Sequence, residues 1–351
     1  KDSQIVVTAI VGMIGILPPA ASAGVGVVIV LQLMRLAQCF GRGGTWGGGI
    51  LMAYENVPEN KRSFYAAIPQ IGLPIGFGLS SILIAVPTLL LPEDIFFTWG
   101  WRIPFLAAII LTLIVIRQKG EMMETEDYKK AQAKLEAEEA EGKKHKVGFI
   151  PMVKGYWKTL LLGCGTRWVD GTFYNIFIVW ILSYCINWLG MPLIQTYIIT
   201  IIACIFKIPF TLFGGWCAQK LGNTRTFVIG ALASAVLSIP TLKVIELSKG
   251  NLAITIIGIV LGWSIAYNLI WAVISSLWSS YFETEVRYSG ISFVYHVPSF
   301  LVAGMVPTIC TLLINYGKGD TIYVGIYSTV VALISAACAL ALKARHDRGE
   351  K

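Results

Sequence analysis

The sequence predicts an all-α integral membrane protein whose spanning helices form two similar bundles separated by one polar segment. Three observations predict it. Apolar residues are 56% of 351 and charged residues only 14%, with a mean hydropathy of +0.69, which leaves too little polar surface to cover a soluble domain. Ten long apolar runs recur along the chain, most of them meeting the roughly 20 residues that a spanning helix needs. Lys and Arg gather in alternate connections between those runs, as positive loops do on the cytosolic side.

The runs lie at about 5–17, 25–53, 64–91 and 100–116, then at 159–187, 192–217, 226–243, 252–280, 289–315 and 321–342. They are continuous rather than alternating, which argues for helices and against barrel strands. With Lys1 in the cytosol, the inner segments hold 20 Lys and Arg and the outer loops hold 4, so both ends are predicted to be cytosolic. That asymmetry accounts for the net charge of +8 without nucleic acid, since no basic face is interleaved with exposed aromatic residues. Seven scattered cysteines show no disulfide or metal-ligand spacing. Between the fourth and fifth runs, a stretch dense in Glu, Lys and Ala reads as a solvated helical linker. The expected division is an N-terminal bundle at 1–117, the linker at 118–156, a C-terminal bundle at 157–343 and a tail at 344–351.

The two sides of the linker resemble each other at an offset of 225 residues: Trp46 matches Trp271 and Arg62 matches Arg287. Internal symmetry of this kind is expected of carriers built from parallel halves. Runs 159–187 and 192–217 have no counterpart in front, so by the repeat roughly 70 further residues are expected ahead of Lys1. With two helices absent, the chain as it stands is not expected to transport.

Several stretches carry a family resemblance: LMRLAQCFGRGGTWGGG at 33–49, ENVPENKRSFYAAIPQIGLPIG at 55–76, LPEDIFFTWGWRIPFL at 91–106 and VRYSGISFVYHVPSF at 286–300. On these, the chain resembles the major facilitator superfamily and, within it, the metabolite:proton symporters. The resemblance implies two pseudo-symmetric six-helix bundles, with ten of the twelve helices present here. Departures from the family pattern fall at Thr45, where an acid is usual, at Cys39 in the helix-four motif, at Gln219 in the loop after helix eight and at Ser280 before the helix-ten loop. Glu59, Arg62, Glu285 and Arg287 occupy the loops that gate such carriers.

An ionisable group in mid-membrane costs about 2.5–3.5 kcal/mol, so each is a functional candidate that needs a partner. By helical rise, Arg35, Arg167, Asp170 and Lys207 all lie near mid-membrane. Arg167 and Asp170 are three apart and can pair on one helical face, either as a locally neutralised pair or, as the resemblance implies, as a pair lining the central cavity. Lys207 either faces the cavity or extends toward the cytosolic edge. Gln38 shares a face with Arg35, Tyr174 extends the polar edge of the Asp170 helix, and Tyr267 and Asn268 either offer aromatic and amide surface for a ring or its hydroxyls or pack between helices. Asp170 is the preferred proton-coupling residue. His296 is a second candidate, because an imidazole titrates near neutral pH, although the resembled family has Gln there.

Three cations against one acid favour an anionic substrate. The expected function is proton-coupled symport of a small carboxylate, such as a shikimate-like hydroxy acid, a 2-oxoacid or an aromatic acid. The expected setting is a monomer in the bacterial inner membrane, driven by the proton gradient without cofactor or metal and without enzymatic activity. Rival readings are a carrier of zwitterions such as betaine or proline, a non-transporting remnant, and a membrane-embedded transferase using His296 as base.

Overall fold

The computed structural model describes residues 2–18, 24–42, 45–119 and 149–349. The core of the expected linker lies outside the described residues, as do the side chains of Cys39, Thr45, Trp46 and Glu285. Besides a short helix at Glu93–Thr98, the helices are α1 (Asp2–Ile16), α2 (Val25–Arg42), α3 (Thr45–Glu55), α4 (Glu59–Leu90), α5 (Ile103–Lys119), α6 (Met152–Asn187), α7 (Leu193–Leu221), α8 (Asn223–Leu247), α9 (Leu252–Tyr281), α10 (Val286–Tyr316) and α11 (Ile322–Asp347). Among the described residues, seven helices, α4 and α6 to α11, are long and apolar enough to cross a membrane. The apolar helical stretches Val25–Gln38 and Gly100–Ile110 are shorter. The run expected at 25–53 is helical over Val25–Arg42 and Thr45–Glu55, and residues 43–44 lie outside the described ones.

By contacts the chain divides into two units. The first holds residues 1–48 and 79–124, where α1 rests on α5 and α2. Here the WGWRIPF stretch has a local purpose. Its Arg102 guanidinium stacks 4.4 Å over Trp101, donates to the Thr98 carbonyl and reaches the Leu17 carbonyl at 2.9 Å. The motif thereby ties the turn before α5 to the end of α1.

The second unit joins residues 49–78 to residues 125–351. By contacts, Gly49–Gly78 group with the C-terminal helices rather than with the rest of the N-terminal ones. In this unit α8 rests on α11 and α9, α6 on α11 and α10, and α7 on α9 and the start of α4. Small residues permit these approaches, as they do where helices meet in lipid. Gly214 leaves room for the Ala272 methyl, and Gly230 for the Leu269 side chain and the Ile270 backbone. Buried hydroxyls bridge the same seams: Ser335 accepts from the Val169 N–H at 3.0 Å and donates to the Gly165 carbonyl at 2.7 Å. Three helices widen locally to π geometry, at Ile176–Trp180, Val260–Ala266 and Phe300–Gly304, a distortion frequent at functional sites.

One end of this unit is closed by a polar clasp. Lys243 donates to Glu246 at 3.0 Å and to Asp320 at 2.7 Å. Glu246 also accepts from the backbone N–H and hydroxyl of Thr321. Lys243 and the Ile322 N–H hold the Asp320 carboxyl below its ordinary value of 3.8. A carboxyl whose folded value is depressed contributes stability that is present above the unfolded value and lost as pH falls through the folded one. Melting curves of the detergent-solubilised protein are therefore expected to decline below about pH 4. Asp320→Asn, which lacks this contribution at neutral pH, is expected to melt lower there and to show a shallower acid decline. Parallel acid limbs for the two proteins would remove Asp320 as the cause.

Candidate functional site

The site grows from α6. Arg167 and Asp170, one turn apart, point the same way and are 6% and 1% exposed. The Arg167 guanidinium donates to Asp170 Oδ2. Tyr267 on α9 donates its hydroxyl to Asp170 Oδ1, so both carboxylate oxygens are engaged. The other side of the guanidinium lies 4.3 Å over the Tyr295 ring of α10. Tyr295 leans edge-on against Trp278, whose indole N–H is fixed on the Thr166 hydroxyl at 2.9 Å. Engagement of both oxygens is what a carboxylate needs to persist away from water.

Tyr267 extends the cluster. Its ring stacks on Phe173, with centroids 6.2 Å apart and planes at 12°. On α7, Lys207 is fully buried at 0% exposure; it does not extend to an edge. Its ammonium lies 4.3 Å from the centroids of both Trp263 and Tyr267 and 3.5 Å from the Trp263 carbonyl. No carboxylate forms an ion pair with this lysine among the described residues. Asn268 donates to the Lys207 carbonyl at 2.7 Å and accepts from Thr211 at 3.1 Å, which ties α9 to α7 at this level.

The structure thus brings Arg167, Asp170, Lys207, Tyr267 and Asn268 together on α6, α7 and α9. Tyr174, half-buried, sets its ring edge-on to Phe77 at 5.8 Å. His296 is exposed and edge-on to Tyr295 at 5.0 Å. Arg35 and Gln38 belong to the first unit, where Arg35 donates to Gln38 at 3.4 Å. Trp263 and Tyr295 were not singled out from sequence. Trp263 was findable as the residue four before Tyr267 on one helix, whereas nothing local marks Tyr295 as the platform for Arg167.

The loop residues form a second cluster within the same unit. Arg62 pairs with Glu59 at 3.2 Å. Arg287 pairs at 2.8 Å with Glu55, an acid 232 residues earlier that the sequence did not mark, and the two guanidiniums flank the Tyr54 ring at 5.4 and 5.7 Å. Deeper in, Gln70 and Trp271 bond reciprocally: the Trp271 indole donates to the Gln70 carbonyl at 3.1 Å and the Gln70 amide to the Trp271 carbonyl at 3.4 Å. These bonds fasten Gly49–Gly78 to α9.

Long apolar helices enclosing a buried, hydrogen-bonded charge cluster define a multi-pass membrane transport protein. The chain belongs to the Major Facilitator Superfamily, whose sequence profile matches residues 4–307. It is 29% identical over 338 residues to the shikimate transporter of Escherichia coli K12, covering 94% of this chain and 74% of that protein. It is 30% identical over 342 residues to the inner membrane metabolite transport protein YhjE of the same organism, covering 95% and 75%. The proline/betaine transporter of Salmonella typhimurium is 26% identical over 337 residues, covering 95% of this chain and 66% of its own length. Among solved structures, a D-xylose-proton symporter shares the fold with a TM-score of 0.68 at 16% identity, over 97% of this chain and 80% of that one. These relatives are transporters, not enzymes.

Proposed function

We propose that the protein is a proton-coupled symporter of a small carboxylate metabolite, working by alternating access in the bacterial inner membrane with both ends cytosolic. The observation that carries this reading is a surplus of buried positive charge and donors in the α6–α7–α9 cluster. Two cations, Arg167 and Lys207, face one carboxylate, Asp170. In addition, Arg167 Nε and the Trp263 indole N–H are buried without an acceptor among the described residues. Buried donors left unpaired cost about 1–3 kcal/mol each, and a carboxylate supplies both the acceptors and the missing charge. The shikimate-transporting relative supports the same substrate class, with shikimate-like hydroxy acids ahead of 2-oxoacids and aromatic acids.

Asp170 is the proposed proton carrier. While ionised it holds Arg167, and on protonation it releases the guanidinium to an incoming anion. His296, beside Tyr295, is the alternative carrier. Within this unit Tyr174, Tyr267 and Asn268 complete the proposed substrate contacts, Arg35 and Gln38 are the candidates of the first unit, and Glu59, Arg62, Glu285 and Arg287 are the proposed gate, with Glu55 the ion-pair partner of Arg287.

The proline/betaine-transporting relative favours a second reading, a zwitterion carrier. Uptake of radiolabelled shikimate, pyruvate and benzoate by cells expressing the natural full-length protein, with and without a protonophore and with betaine or proline as competitors, separates the possibilities. Carboxylate uptake abolished by the protonophore and unaffected by betaine is expected. Uptake that ignores the protonophore would contradict symport, and inhibition by betaine alone would favour the zwitterion reading.

A further inference from the structure

Lys207, Trp263 and Tyr267 are all fully buried, and the lysine ammonium sits 4.3 Å from each ring centroid. Two aromatic faces converging on one cation is the arrangement with which proteins hold quaternary ammonium ligands. Here the chain supplies the cation itself. One wall stands on contacts of its own. Tyr267 is stacked on Phe173 and tied to Asp170 through its hydroxyl, and Trp263 lies in the π segment of α9. Removing the lysine side chain therefore leaves the Tyr267 ring in place, with Trp263 fully buried beside it. Asp170 also keeps a partner on each oxygen, Arg167 and Tyr267.

We infer that Lys207 is a specificity-determining residue: its ammonium fills an aromatic box that otherwise accepts a substrate's quaternary ammonium group, so this chain selects anions over betaine-like zwitterions. The inference rests on the reading that this cluster is the substrate site. In Lys207→Ala, the atoms lost beyond Cβ match in number the nitrogen and methyls of a trimethylammonium group. The box is then vacant, uncharged and lined by two ring faces. The Trp263 indole N–H, which has no acceptor among the described residues, is left for the carboxylate of such a ligand.

The test is binding of glycine betaine and of shikimate to the purified full chain by titration calorimetry. Wild type is expected to bind shikimate and not betaine. Lys207→Ala is expected to gain betaine affinity by at least about tenfold and to lose affinity for shikimate. Lys207→Met, which keeps the box filled by an uncharged chain, is expected to gain nothing for betaine. Equal betaine affinity in wild type and Lys207→Ala overturns the inference, and so does an equal gain in Lys207→Met, because charge alone would then decide. If Lys207→Ala is recovered folded only when betaine is present, that dependence is itself evidence of binding. Neither binding nor rescue by betaine overturns the inference. A wild type that binds no carboxylate, beside a Lys207→Ala variant that gains betaine, would refute the carboxylate reading and leave the box standing, so the two failures are distinct.

Discussion

Arg167→Met is expected to destabilise the protein by about 3–5 kcal/mol and to abolish uptake. Methionine roughly preserves the volume of the arginine stem, so the effect is electrostatic. It leaves Asp170, 1% exposed, with the Tyr267 hydroxyl on one oxygen and nothing on the other. A buried carboxylate stripped of its partner has lost the interaction that offset its desolvation, and Lys207 is held over its own pair of rings rather than bonded to this acid. The guanidinium also leaves the Tyr295 face, 4.3 Å away, forgoing about 0.5–2 kcal/mol of cation–π attraction.

The double variant Arg167→Met with Asp170→Leu is expected to recover most of that stability, because replacing a whole buried ion pair by apolar residues is often neutral or stabilising. It should not recover transport. Melting temperature in detergent, read beside uptake, separates these effects. A single variant as stable as wild type would show that the pair is not an energetic unit. A double variant that transports would remove both residues from the mechanism.

Gly171→Ala, one residue further along α6, is expected to cost about 1–3 kcal/mol through overpacking, and Gly171→Leu more. A Cβ on Gly171 would sit 2.5 Å from the Val302 carbonyl oxygen and 3.0 Å from its carbon. Those atoms are backbone of the π segment in α10 and have no rotamer to yield, so α6 and α10 must separate. The displacement reaches the neighbouring residue, Asp170, and uptake is expected to fall more than stability does. Gly155 is the control, since a Cβ there meets nothing within 4 Å. Gly155→Ala in this helix is expected to be neutral or slightly stabilising. Equal melting temperatures for the Gly171 and Gly155 alanine variants would show that the α6–α10 contact tolerates the added methyl.

Much of the architecture was legible because membrane helices announce themselves locally. Twenty consecutive apolar residues need no knowledge of neighbours to be read as a span, and the long runs from 159 onward match α6 to α11 closely. The Arg167–Asp170 pair was legible for the same reason: a spacing of three residues on a helix places two side chains on one face before any tertiary contact forms.

The sequence by itself determined the class of the protein, the apolar helices, the positive bias of alternate loops and the few charges placed within the membrane. Only the tertiary structure decided what those charges do. Tyr267 reaches Asp170 across 97 residues, and Arg287 finds Glu55 across 232. Lys207 turned inward onto two rings, although its long flexible stem permitted either destination. The physical reason is the same in each case. Helical periodicity fixes which face a side chain occupies, but the partner on the next helix depends on register and close approach at residues such as Gly171 and Gly214, which hydropathy does not encode.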